Sequence, residues 1–151
     1  MGFEKYDRLV REAVAGHLGP GEVVEVTASA AVKQVNLTRS VAAGLAVAAL
    51  SGGLMTVAVV PRKFFVAFTD RRLLFLEGND VSGKPTTKVA LDLPRAGLAV
   101  QSAKAKRAAL VVPTLVAELA VAGWDKALQL QFPTPCRDAG GAIVRALGGS
   151  V

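Results

Sequence analysis

The sequence predicts a mainly β fold: about seven short antiparallel strands between an N-terminal and a C-terminal helix. Three observations carry this expectation. Period-two alternation of apolar and polar residues dominates residues 22–132, glycine and proline turns punctuate it, and helix-period stripes appear only near residues 3–16 and 135–147. A chain of 151 residues, 52% of them apolar, is large enough for one well-filled core and too small for two ordinary domains.

The first stripe is Phe3, Tyr6, Val10 and Val14, widened by Leu9 and Ala13, with Glu4, Lys5, Arg8, Arg11 and Glu12 facing away. Gly16, Gly19, Pro20 and Gly21 stop it. Val24, Val26, Ala28, Ala30 and Val32 then alternate with Glu25, Thr27, Ser29 and Lys33, the pattern of a strand with one buried face. Residues 40–61 follow without a single charge, bounded by Arg39 and Arg62. Lys63 to Thr69, the turn Asp70-Arg71-Arg72 and Leu73 to Leu76 read as a hairpin, and the polar run Gly78 to Pro85 reads as a loop. Thr87, Val89 and Leu91 form a further alternating run that Pro94 ends. Strands are also expected at 98–102, 115–121 and 128–132, with a strand or loop at 108–112. Thr134 and Pro135 are expected to cap a closing helix whose stripe is Ala139, Ile143, Ala146 and Leu147 and which Gly148 and Gly149 close.

Composition narrows the chemistry. One cysteine, Cys136, and one histidine, His17, leave no disulfide framework and no structural zinc site to draw. Gly16, Gly19 and Gly21 precede a strand, the reverse of the order a dinucleotide loop needs. His17 is expected to meet helix-terminal carbonyls, and Cys136 to be a buried structural thiol. No catalytic residue, cofactor or metal is therefore expected. A net charge of +6 and a pI near 9.9 favour anionic surfaces. The mean hydropathy of +0.42 comes mainly from Ala and Val. The charged N-terminus lacks the apolar stretch of a secretory signal, so the cytoplasm is the expected compartment.

Strands followed by one terminal helix resemble the order of a pleckstrin-homology-like (PH-like) domain. Two stretches resemble those of bacterial PH-like families. One is Leu18-Gly19-Pro20-Gly21-Glu22-Val23-Val24, similar to their passage from a leader helix into the first strand. The other is Phe68-Thr69-Asp70-Arg71-Arg72-Leu73-Leu74-Phe75, similar to their hairpin between strands two and three. The resemblance covers about residues 18–149 and implies a bent antiparallel sheet, or partly open barrel, plugged by the C-terminal helix. The chain then divides into an extra amphipathic helix, 1–18, and a PH-like domain, 19–151, with an apolar insert at 40–61.

The insert is long enough for about 20 helical residues to span a bilayer. A single span, however, would separate two strands that should pair antiparallel. Ser51-Gly52-Gly53 allows a fold-back, and Ala42, Ala46 and Ala49 give one arm a small-residue face. Self-association is the expected use of Val41, Leu45, Ala46, Leu50, Leu54, Met55 and Val59, which makes a homo-oligomer the expected state. The alternative is a peripheral membrane protein. Lys33, Arg39, Arg62 and Lys63 flank the insert, with Lys84 near them, and could hold an anionic ligand where many eukaryotic PH domains, similar in architecture, hold a phosphoinositide headgroup. An ordinary solvated rim explains the same residues. Arg71 and Arg72 should lie roughly 20 Å away, at the far end of a strand. Lys104 to Arg107 is expected to be a solvated loop; without a stacking aromatic or a recognition helix, nucleic acid is not an expected partner. The sequence thus points to a non-enzymatic binding or assembly module.

Overall fold

A computed structural model describes residues 3–36, 62–107 and 113–150. Helix α1 (Glu4–Val14) ends in a 3-10 turn, Ala15–His17. Strands β1 (Val24–Asn36), β2 (Arg62–Thr69), β3 (Arg72–Gly78) and β4 (Pro85–Pro94) follow. Then come β5 (Leu98–Arg107), β6 (Pro113–Val121), β7 (Lys126–Phe132) and helix α2 (Arg137–Ala146). The seven strands form one antiparallel sheet in the order β4-β3-β2-β1-β7-β6-β5, which does not close on itself. The expected mainly β architecture with two terminal helices is what the chain adopts.

Strand β1 joins the two halves of the sheet. Val24 to Val32 pair with β2, Ala31 to Asn36 pair with β7, and the two stretches overlap at Ala31 and Val32. The inner face carries the main core, with Phe64, Phe68, Phe75, Leu119, Leu128 and Phe132 buried together. Helix α2 lies on it through Ile143 and Val144. The outer face of β2 and β3 is buried as well: Phe65, Ala67, Leu74 and Leu76 pack under Val10 and Val14 of α1. This explains why β2 reads as a continuous apolar run rather than an alternating one, since both of its faces are covered. Phe3, Tyr6 and Phe65 form an aromatic cluster with ring centroids 5.7–6.4 Å apart.

Helix α2 starts differently from its sequence expectation and is closed, as expected, by Gly148 and Gly149. The Thr134 hydroxyl does not cap it. A 3-10 turn, Thr134–Cys136, with Pro135 at its centre, precedes the helix and leaves Thr134 outside it, and the hydroxyl donates to the carbonyl of Pro113 at 2.7 Å. At the other end Gly148 takes a φ of 87°, and the amides of Gly148 and Gly149 bond to Arg145 and Val144, the Schellman arrangement. Gly140 brings the helix down on the core. A Cβ there would lie 2.5 Å from the Phe132 ring, which is 1% exposed and has nowhere to go. Overpacking costs about 1–3 kcal/mol, against about 1 kcal/mol gained from helix propensity. Gly140→Ala is therefore expected to lower the midpoint of chemical unfolding, measured by circular dichroism.

The basic run Lys104 to Arg107 belongs to β5, not to a loop. Ala103 and Ala105 pair with Ala117 and Leu115 of β6, and Lys104 and Lys106 alternate with them. Charge masked a period-two signal that the alanines carry. The possible strand at 108–112 lies outside the described residues, as do Arg39 and the insert positions Val41, Leu45, Ala46, Leu50, Leu54, Met55 and Val59.

Candidate functional site

Arg62 faces Val32 across the ladder and shares the inner face with Phe64, while Lys63 faces Ala31 on the outer face. The ladder therefore splits this pair of cations between the two sides of the sheet. Both nevertheless border a cavity of about 200 Å³ at the end of the hairpin, together with Phe65, Glu77, Asn79 and Asp80. Lys33, two residues beyond Ala31, lies on the outer face opposite Gln129 and away from this cavity. Lys84 is exposed in the β3–β4 turn that ends beside it.

The cavity is not purely basic. Glu77 accepts from Arg62 at 3.3 Å and lies 3.3 Å from the Lys88 ammonium, and Asp80 adds a second carboxylate to the wall. Arg62 also sits 5.3 Å over the Phe64 ring and Lys63 5.4 Å over Phe65, so both stems are held against aromatic faces. Glu77 is the residue that sequence reasoning missed. Its position one residue before the turn glycine Gly78, at the end of a strand antiparallel to the one starting at Arg62, was the available signal. The turn itself is fixed by Asn79, whose Oδ1 accepts from the amides of Val81 and Ser82 at 2.8 and 2.9 Å, and by Gly83 at φ 71°. This turn lifts Val81 to the tip, 97% exposed.

A second cavity, about 330 Å³, opens beside Lys63 against Ser29, Ala31, Thr114, Gln131 and Pro133. One cation and several hydroxyl and amide groups on an otherwise apolar wall suit binding rather than acid–base work.

At the opposite end of β2, the segments 18–24 and 68–75 meet. The side chain of Glu22 is 1% exposed. It accepts from Arg72 Nε and Nη2, each at 2.9 Å, from Thr69 Oγ1 at 2.7 Å and from the Gly19 amide at 2.9 Å. Arg72 also donates to Asp92 at 2.8 Å and to the His17 carbonyl. Arg71 donates to the Pro20 carbonyl at 2.8 Å, and Asp70 accepts from the Val23 amide at 3.0 Å. The Arg72 hydrogen bonds hold Glu22 at a pKa of about 2, and the Glu22 carboxylate raises that of Arg72. A carboxylate this acidic, with four donors on it, is too weak a base for proton transfer near neutral pH. The node fastens the α1–β1 connection to the β2–β3 hairpin.

The remaining singled-out residues are also structural. His17 Nε2 lies 2.7 Å from the Thr87 carbonyl, a β4 carbonyl rather than the helix-terminal one expected. Cys136 is buried, and its Sγ accepts from the Ser29 amide at 3.3 Å. Among the described residues no group of three His, Cys, Asp or Glu side chains is placed to hold a metal, and no helix is long and apolar enough to cross a membrane. In comparisons with known proteins, no family model matches the chain and no curated protein matches its sequence.

Proposed function

We propose that the chain is a non-enzymatic, PH-like binding and assembly module that associates with copies of itself through the apolar insert at residues 40–61. The observation that carries this reading is the register of β1 and β2. Val32 lies opposite Arg62, so the chain leaves β1 and rejoins β2 at one end of the sheet. A segment returning to the side it left matches a surface hairpin better than a single membrane span. Twenty apolar and small residues, Val41 to Val60, exceed the patch of a few hundred Å² that soluble monomers usually expose, and a symmetric interface hides such a patch.

Replacing Val41 to Val60 with a short Gly-Ser turn tests the proposal. The variant is expected to keep the β-sheet circular dichroism spectrum and to lose assembly mass by size exclusion with light scattering. A variant with the mass per particle of the parent, after allowing for the deleted residues, refutes the interface.

A second reading, docking on anionic lipid, is favoured by one specific placement. The exposed tip residue Val81, the cation Lys84 and the pair Arg62 and Lys63 gather at the end of the sheet where β2 begins at Arg62, opposite Val32 of β1. An apolar tip among cations is the arrangement a charged interface accommodates. The carboxylates Glu77 and Asp80 oppose it, which ranks lipid second.

A further inference from the structure

We infer that the cavity on the outer face, where β1 lies between β2 and β7, binds a small amphiphilic monocarboxylate. Its head is held between Lys63 and Gln131, and its alkyl chain lies along Ala31 and Pro133. The residues that argue for this site lie outside the insert.

The notch comes from the register. Ala31 faces Lys63 of β2 on one side and Gln131 of β7 on the other. Directly opposed residues share a face, so one methyl group separates a lysine and a glutamine whose Cα atoms are about 10 Å apart. A larger side chain at position 31 would fill the gap. Ser29 and Thr114 are buried in the lining, with the Ser29 hydroxyl 3.7 Å from the Cys136 sulfur. The volume, about 330 Å³, stands at the lower end of the range of about 300–1,000 Å³ for small-molecule pockets, which suits a short ligand.

Charge selects the head group. Lys63 is the one charged side chain lining this cavity among the described residues. Its ammonium lies 5.4 Å over the Phe65 ring and enters no ion pair among the described residues. Glu77 and Asp80 border the other cavity that Lys63 touches, and Glu77 is held there by Arg62 and Lys88. The Gln131 carboxamide makes no hydrogen bond among the described residues. One ammonium offsets one negative charge. A dianionic phosphate would need a second cation, and Lys33, one row along opposite Gln129, does not line the cavity. The two oxygens of a carboxylate accept from the ammonium and from the carboxamide at once. The apolar remainder of the wall takes the alkyl chain and disfavours small hydrated anions.

The test titrates the full chain, isotopically labelled, with sodium octanoate at neutral pH. At about 1 mM octanoate, saturable NMR shifts are expected at the Ala31 and Lys63 amides and at the Gln131 carboxamide. Octanol keeps the chain without the charge and is expected to bind about tenfold more weakly. Acetate, six carbons shorter, should bind at least about a hundredfold more weakly, and octylammonium should not bind. Lys63→Gln is expected to weaken octanoate binding about tenfold, Lys63→Arg to retain it, and Ala31→Leu to block the notch, each with the circular dichroism spectrum of the parent. No shift at the Gln131 carboxamide, equal binding of octanol, or parental affinity in Lys63→Gln overturns the proposal. A response of the same signals to phosphatidylglycerol vesicles but not to octanoate overturns it too, because a lipid surface would then own Lys63.

Discussion

Removal of residues 3–14 is expected to cost the protein most of its stability. Val10 and Val14 are fully buried, and each such side chain contributes about 1.5–3 kcal/mol. Their loss also strips most of the cover from Phe65, Leu74 and Leu76, against which the partly buried Leu18 and Val89 would remain packed. The total is on the order of 5 kcal/mol or more, comparable with the whole stability of a domain this size. Chemical unfolding of the truncated chain should show no cooperative transition, or one at far lower denaturant. A transition within error of the full chain would mean that α1 is an appendage rather than part of the core.

The Glu22–Arg72 node supports the second large effect. Arg72→Ala would leave a carboxylate with a 1% exposed side chain without its counter-charge, which costs about 3–5 kcal/mol. For a chain of this length that corresponds to a fall in Tm of about 6–20 °C. The same node predicts acid sensitivity. The folded pKa of Glu22, about 2, lies below its ordinary 4.5, so its contribution is fully present above pH 4.5 and is lost as pH falls from 4.5 towards 2. Its size is on the order of 3 kcal/mol. Asp7 adds to the same trend: burial opposes ionisation, but hydrogen bonds from Thr27 and Arg11 outweigh it and lower its pKa. Unfolding titrations between pH 5 and pH 2 should therefore be steep for the parent and shallower for Arg72→Ala. Parallel pH dependences would remove Glu22 from the explanation.

Much of the fold was legible because period and turn chemistry agree along the chain. The alternation in β1, the Asp70-Arg71-Arg72 turn and the two glycines closing α2 each fix a local structure that packing then reinforces. What remained hidden depends on contacts between distant segments. Nothing near Glu22 in sequence reveals that Arg72 lies against it, 50 residues on. The unbroken run Phe64 to Phe68 did carry the missing information about α1, since a strand apolar on both faces needs a cover on each. The rim was only half legible: Arg62 and Lys63 meet as neighbours of one cavity, but Glu77 arrives from the other strand and offsets them.

The mass of the unaltered protein in solution tests the central claim most directly. Light scattering coupled to size exclusion, without detergent or lipid, should give a mass that is a whole-number multiple of 15.6 kDa and larger than one chain across a dilution series. A monomer at every concentration would contradict self-association through the insert. Capture of that monomer by anionic vesicles, released as salt rises, would assign the insert and its basic neighbours to a lipid surface instead.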